Sequence, residues 1–195
     1  MTALSEEQFL LLNALWLRKM ATRGTIEENA GLPGVVAESC LGSAEELDLI
    51  REMGDYYVLN DSGRRAILDY YDGEYAGLRG EPEFLEWYER FEGYNARFLS
   101  LISAWQTESD EAQERTYSRL ARVVERHVEA LGVATGWIPR YGHYAARFER
   151  GLEHVDSGRI DYVSSPMVDS LHNIWFEFHE DLLAVLGRPR ESLED

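Results

Sequence analysis

The chain has 195 residues, 45% of them hydrophobic, which is enough apolar side chain for a packed core and excludes global disorder. Its net charge of −17, from 36 acidic against 19 basic residues, repels nucleic-acid backbones unless a local basic patch overrides the field. A single cysteine, Cys40, excludes an internal disulfide. No apolar run approaches the roughly 18 residues of a membrane span, and the N-terminal stretch lacks the basic region of a signal peptide, so a cytoplasmic protein is expected.

Ser5 is a candidate N-cap, followed by Glu6 and Glu7 in a first turn and by Phe9, Leu12, Leu15 and Trp16 at helical spacing. Thr25 reads as the cap of a short helix, Ile26 to Ala30, which ends at the turn Gly31-Leu32-Pro33-Gly34. A third helix is expected from about Val35 to Ile50, with a weak middle at Cys40-Leu41-Gly42-Ser43. Met53-Gly54-Asp55 reads as a hairpin turn and Tyr56 to Leu59 as the return strand. Asn60-Asp61-Ser62-Gly63 then caps a helix through Ile67 and Tyr71. Residues 72–83 hold three glycines and Pro82 and form the expected linker.

Beyond the linker, four apolar stripes at 3–4 spacing predict four amphipathic helices. The first runs from Phe84 to Trp105, the second from Tyr117 to Leu131, and the third from Tyr141 to Val155. The last runs from Val168 to Val185, after a loop from Asp156 to Pro166.

Three short helices, a hairpin and a capped helix are the elements of a winged helix-turn-helix. The segment Tyr57-Val58-Leu59-Asn60-Asp61-Ser62-Gly63-Arg64 resembles the wing-to-helix segment of MarR- and PadR-type regulators, with Asn60 in the usual threonine position. The expected fold is therefore mostly α: a winged helix over 1–72, a linker over 73–83 and a four-helix bundle-like effector domain over 84–195. Asn95-Ala96-Arg97-Phe98-Leu99, Ala104-Trp105-Gln106 and the run from Val168 to Leu183 resemble uncharacterised actinobacterial winged-helix proteins. Those are associated with phosphoenolpyruvate-utilising phosphotransferase-type enzymes. The resemblance implies an accessory role beside such an enzyme and transfers no catalytic residue.

A helix-turn-helix reads DNA with the start of its second helix, mostly through Arg, Lys, Asn or Gln. From Gly24 through Ile50 there is no lysine or arginine, against six acids: Glu27, Glu28, Glu38, Glu45, Glu46 and Asp48. Arg18, Lys19, Arg23, Arg64 and Arg65 lie only at the margins. The pattern argues against DNA and for a non-catalytic regulatory protein acting through protein contacts. The alternative is a ligand-responsive regulator, dimeric so that two motifs reach two half-sites.

In the last helix Asp169, His172 and His179 share a face with Phe176, a mixture that suits a pocket or partner groove. Asn95, Trp105 and His127 fall on or beside the apolar stripes of the helices before it and complete a candidate ligand-binding set. Arg140, His143, Arg147, Arg150 and His154 form a basic stripe on the third of the four helices. Its bland reading is a solvated face paired with acids, and its alternative a dock for an anion. A second alternative, a metal-dependent enzyme using Asp169 and His172, lacks the second carboxylate–histidine pair of a di-iron bundle. No metal and no cofactor are expected, and no nucleophile motif or phosphate loop is present.

Overall fold

A computed structural model describes residues 4–188. These residues are mostly helical, with nine helices and one three-stranded antiparallel sheet. No described helix is long and apolar enough to cross a membrane. The chain divides into two compact units: one runs up to Gly77 and resumes at Glu180, and the other is Leu78–His179.

The first unit is built on α1 (Glu6–Arg18), which packs on α2 (Arg23–Ala30), α3 (Gly34–Glu46) and α4 (Asp61–Glu74). Ser5 and Gln8 form a reciprocal capping box at its start, with bonds of 3.2 and 3.0 Å. Phe9, Leu11, Leu12 and Leu15 are buried all round the helix, as expected of a central element. Lys19 takes a positive φ of 68° and ends the helix, and the chain enters strand β1 (Met20–Thr22). That strand was not legible in the sequence, being only three residues long. It pairs with β3 (Tyr56–Leu59), which also pairs with β2 (Ile50–Met53), so the sheet order is β1-β3-β2. Gly54, at φ 65°, makes the β2–β3 turn.

Several local expectations are corrected. Thr22, not Thr25, caps α2: its hydroxyl oxygen accepts from the Thr25 backbone N–H at 3.4 Å. The third helix runs unbroken through Cys40–Ser43 and stops at Glu46; Ile50 is buried as the first residue of β2. Asn60 sits at the N-cap position of α4 but makes no side-chain cap bond. Its amide instead donates to the Asp48 carboxylate at 2.8 Å and to the Asp48 and Ile50 carbonyls at 3.2 Å. It thereby secures Asp48, which lies in the left-handed region at φ 52°.

Gly63 explains the glycine in the same segment. A Cβ there would enter the van der Waals shell of the Leu49 carbonyl oxygen, so α4 approaches the start of β2 more closely than any other residue allows. The interior of this unit also holds a polar knot. The Tyr71 hydroxyl lies 2.9 Å from Asn13 Oδ1 and 3.0 Å from Asp181 Oδ1, and the Asn13 amide donates to Asp181 Oδ2 at 3.4 Å.

The expected linker is largely ordered as turns: a 3-10 helix covers Ala76–Gly80, and Pro82 opens α5 (Pro82–Trp105). The second unit continues with α6 (Asp110–Ala134), α7 (Tyr141–Asp156), the short α8 (Asp161–Ser164) and α9 (Leu171–Val185). Helix α8 lies in the stretch read as loop. The chain from Glu180 onward, including the end of α9, belongs to the first unit. Aromatic rings fill the second unit: Phe98 stacks on Trp175 at 4.0 Å, and Phe91 meets Phe178 edge-on at 5.2 Å.

Candidate functional site

The sequence places its candidate ligand-binding set on α5, α6 and α9. In the second unit these residues separate into different environments. Asn95 is buried, and its side-chain oxygen accepts from the Trp175 indole N–H at 3.0 Å. Trp175 in turn lies 4.7 Å from His127, ring to ring. Phe91, Phe148 and Phe178 surround the same imidazole at 5.2, 5.5 and 4.8 Å. Neither ring nitrogen of His127 has a hydrogen-bond partner among the described residues. Burial pushes its pKa down to about 3, so the imidazole is neutral at physiological pH.

Asp169 is engaged elsewhere. Arg147 donates to its carboxylate through Nε at 3.0 Å and Nη2 at 2.7 Å, a two-pronged pair, and through Nη2 to Glu177 at 2.6 Å. Desolvation opposes the charge of Arg147, but the pull of Glu177 and Asp169 outweighs it, and the guanidinium pKa lies above its ordinary value. His172 is half-buried, and burial lowers its pKa. His179 faces Glu92 at 3.6 Å. Phe176 is exposed, and Trp105 is buried with its ring 6.4 Å from that of Tyr117. Asn95 and His127 therefore meet around Trp175, Asp169 belongs to Arg147, and Phe176 faces solvent.

The basic stripe on α7 is not a continuous surface. Arg147 is 2% exposed and neutralised internally, which corrects its reading as a solvated or docking cation. His154 is covered by Tyr162, 4.1 Å away edge-on, and by the guanidinium of Arg159. Arg140 lies over the Tyr141 ring at 5.4 Å, and His143 is half-buried. Arg150 remains exposed. Among the described residues no group of three or more His, Cys, Asp or Glu side chains is placed to hold a metal ion.

In the first unit, the faces of α3 and the β2–β3 hairpin that solvent sees are mostly apolar and acidic, with Arg51 of β2 also exposed. Val35, at the start of α3, is 82% exposed, and Met53 and Tyr56, paired across the hairpin, are 52% and 44% exposed. Glu38, Glu45 and Glu46 are exposed on α3. Of the marginal cations, Arg23 is neutralised by Glu27 at 2.7 Å and Glu38 at 3.3 Å. Arg18 donates to the Asn29 side-chain oxygen at 2.7 Å, with that amide oriented to accept. Lys19 lies over the Trp16 ring at 5.6 Å. Arg64 and Arg65 are exposed on α4.

Sequence reading missed a groove of about 480 Å³ between α5 and α6, into which Arg97, Arg119, Arg122 and Arg126 all project. Positions 119, 122 and 126 follow helical spacing and were legible as one face of α6. That Arg97, on another helix, joins them was not.

Comparison with protein-family models, with curated proteins and with solved structures returned no match.

Proposed function

We propose that the protein is a non-catalytic regulatory or accessory protein whose first unit is a winged helix-turn-helix of MarR/PadR type that works through protein contacts, with a small ligand held by the helical unit. In this reading α2 and α3 are the helix-turn-helix, the β2–β3 hairpin is the wing, and α5 to α9 form the bundle-like effector part. One observation carries it. At the place where a DNA reader presents arginine or asparagine to base edges, α3 presents Val35 and Glu38, and the cation that touches Glu38, Arg23, is already neutralised. Phosphates would be repelled there, whereas an apolar centre ringed by acids suits a protein surface with apolar residues ringed by lysine or arginine. The resemblance to winged-helix proteins associated with phosphoenolpyruvate-utilising enzymes makes such an enzyme the first partner to try, in the cytoplasm.

The test is a photoreactive amino acid at Val35 in the full chain, expressed in the cells that make it. Cross-linking to a specific protein is expected. Glu38→Arg with Glu45→Arg should abolish it while changing stability by no more than about 0.5 kcal/mol, as for other surface substitutions. Cross-links to nucleic acid alone, or protein cross-links indifferent to the charge reversal, would refute the reading.

A further inference from the structure

The helical unit carries a second feature that points to a ligand class. Arg97 and Ser100 of α5 face Arg119, Arg122 and Arg126 of α6 across the groove of about 480 Å³, over a floor that includes Leu101 and Val123. The volume falls within the range of small-molecule sites, roughly 300–1,000 Å³.

The chain has almost two acids for every base, so an arginine has ample choice of partner. Two cations elsewhere use it: Arg23 and Arg147 each hold two carboxylates. The four groove arginines do not. None has an ion pair, hydrogen bond or ring contact among the described residues. Among the described residues no acid of α6 neutralises them: Glu111 pairs instead with Arg115, at 3.8 Å. At 100° per residue Glu114 and Glu125 stand about 60–140° from the three arginines, whereas Glu129 lies about 20° from Arg122 and borders the arginine face, with no ion pair to it among the described residues. Helix α6 thus turns three arginines toward the groove, and no carboxylate lines it. Four like charges around one groove favour an anion as their counter-charge.

We infer that this groove binds a small anion bearing two or three phosphoryl groups. Arg119 and Arg126 are seven residues apart, or about 10 Å along the helix axis, so their side chains must converge to share one ligand, and linked phosphoryl groups demand less convergence than a single phosphate. Planar guanidinium forks bind phosphoryl oxygens in pairs, and four of them match the charge of a di- or triphosphate. The Ser100 hydroxyl adds a neutral donor. No aromatic ring lines the groove, so it lacks the stacking platform by which single-stranded nucleic acid is held. This inference rests on the assignment of a ligand to the helical unit and does not involve α3.

Titration calorimetry of the full chain with inorganic triphosphate, at about 150 mM salt, tests it; at that salt the Debye length is about 8 Å and loose surface attraction is screened. One-to-one binding is expected. Arg122→Ala and Arg126→Ala should each weaken it by about tenfold, the loss of a charge-assisted bond, and Arg150→Ala should leave it unchanged. Orthophosphate should bind at least about tenfold more weakly than triphosphate on the same grounds. Melting curves of each variant confirm folding, and Arg122→Lys, which keeps the charge but loses the fork, should retain only part of the affinity. No heat up to millimolar triphosphate, or binding unchanged in Arg122→Ala and Arg126→Ala, would overturn the inference. So would tighter binding of a glutamate-rich peptide or of single-stranded RNA than of triphosphate. Loss of the Val35 cross-link with triphosphate binding intact would leave this site standing, and the converse would leave the α3 face standing.

Discussion

Arg147 and Glu177 meet at 2.6 Å with their side chains 1% and 5% exposed, thirty positions apart in the chain. The arginine was expected on the surface of α7, and it is instead the cation at the centre of a buried two-carboxylate site. Removing it strands Glu177 and Asp169 together. Arg147→Ala should therefore cost about 3–5 kcal/mol, whereas Arg150→Ala on the same helix should cost no more than about 0.5 kcal/mol. Urea unfolding of the two variants reads the difference; similar midpoints would mean that the buried network contributes little.

His127 gives the fold an acid-sensitive element. In the unfolded chain its imidazole takes up a proton near pH 6.5, and in the folded protein burial holds it neutral down to about 3. Between those values the unfolded state binds more protons, so stability falls as pH is lowered through the window, by about 1.4 kcal/mol per unit. Above pH 6.5 this residue contributes no slope. His127→Leu replaces an imidazole lacking hydrogen-bond partners by an apolar side chain. It should be neutral or stabilising at pH 7, and at pH 5 should recover about 2 kcal/mol relative to wild type. Urea midpoints from pH 7 to pH 5 check this; parallel pH profiles for both proteins would contradict it.

Asn95 holds one end of the same cluster. Without its side-chain oxygen the buried indole N–H of Trp175 loses its acceptor, and Asn95→Leu should cost about 1–3 kcal/mol. Thermal unfolding followed by tryptophan fluorescence measures it, and an unchanged melting temperature would show that this bond is dispensable.

Gly63→Ala should destabilise the first unit by about 1–3 kcal/mol, as overpacking does, because the obstacle is the Leu49 backbone rather than a side chain that can turn aside. Gly42→Ala, at an exposed helical position whose Cβ would meet nothing, should stabilise by up to about 1 kcal/mol. A melting comparison that reversed this order would refute the close approach.

The helical stripes, the Ser5 cap and the β2–β3 hairpin were legible because each depends on residues within one or two turns of one another. What could not be read is how polar side chains are used. Arg147 looks like a surface cation among Glu149, Arg150 and Glu153, and only the fold brings Asp169 and Glu177 to it. His127 sits beside Val124 and Leu131 and reads as a ligand residue, but four aromatic rings from three other helices enclose it. Thr22 and Thr25 are equivalent as caps by sequence, and the choice between them follows from β1, whose pairing with β3 is a contact across more than thirty residues. The arginine groove was half visible, on α6, and its other half waited on the packing of α5.

Whether α3 can read DNA is measured most directly by duplex selection followed by anisotropy titration of the full chain at about 100 mM salt. No enriched sequence is predicted, and any residual affinity should be no tighter than the roughly 1–100 μM of non-specific binding. An enriched duplex bound below about 0.1 μM, with the steep salt dependence of many phosphate contacts, would contradict the account and make the protein a DNA-binding regulator.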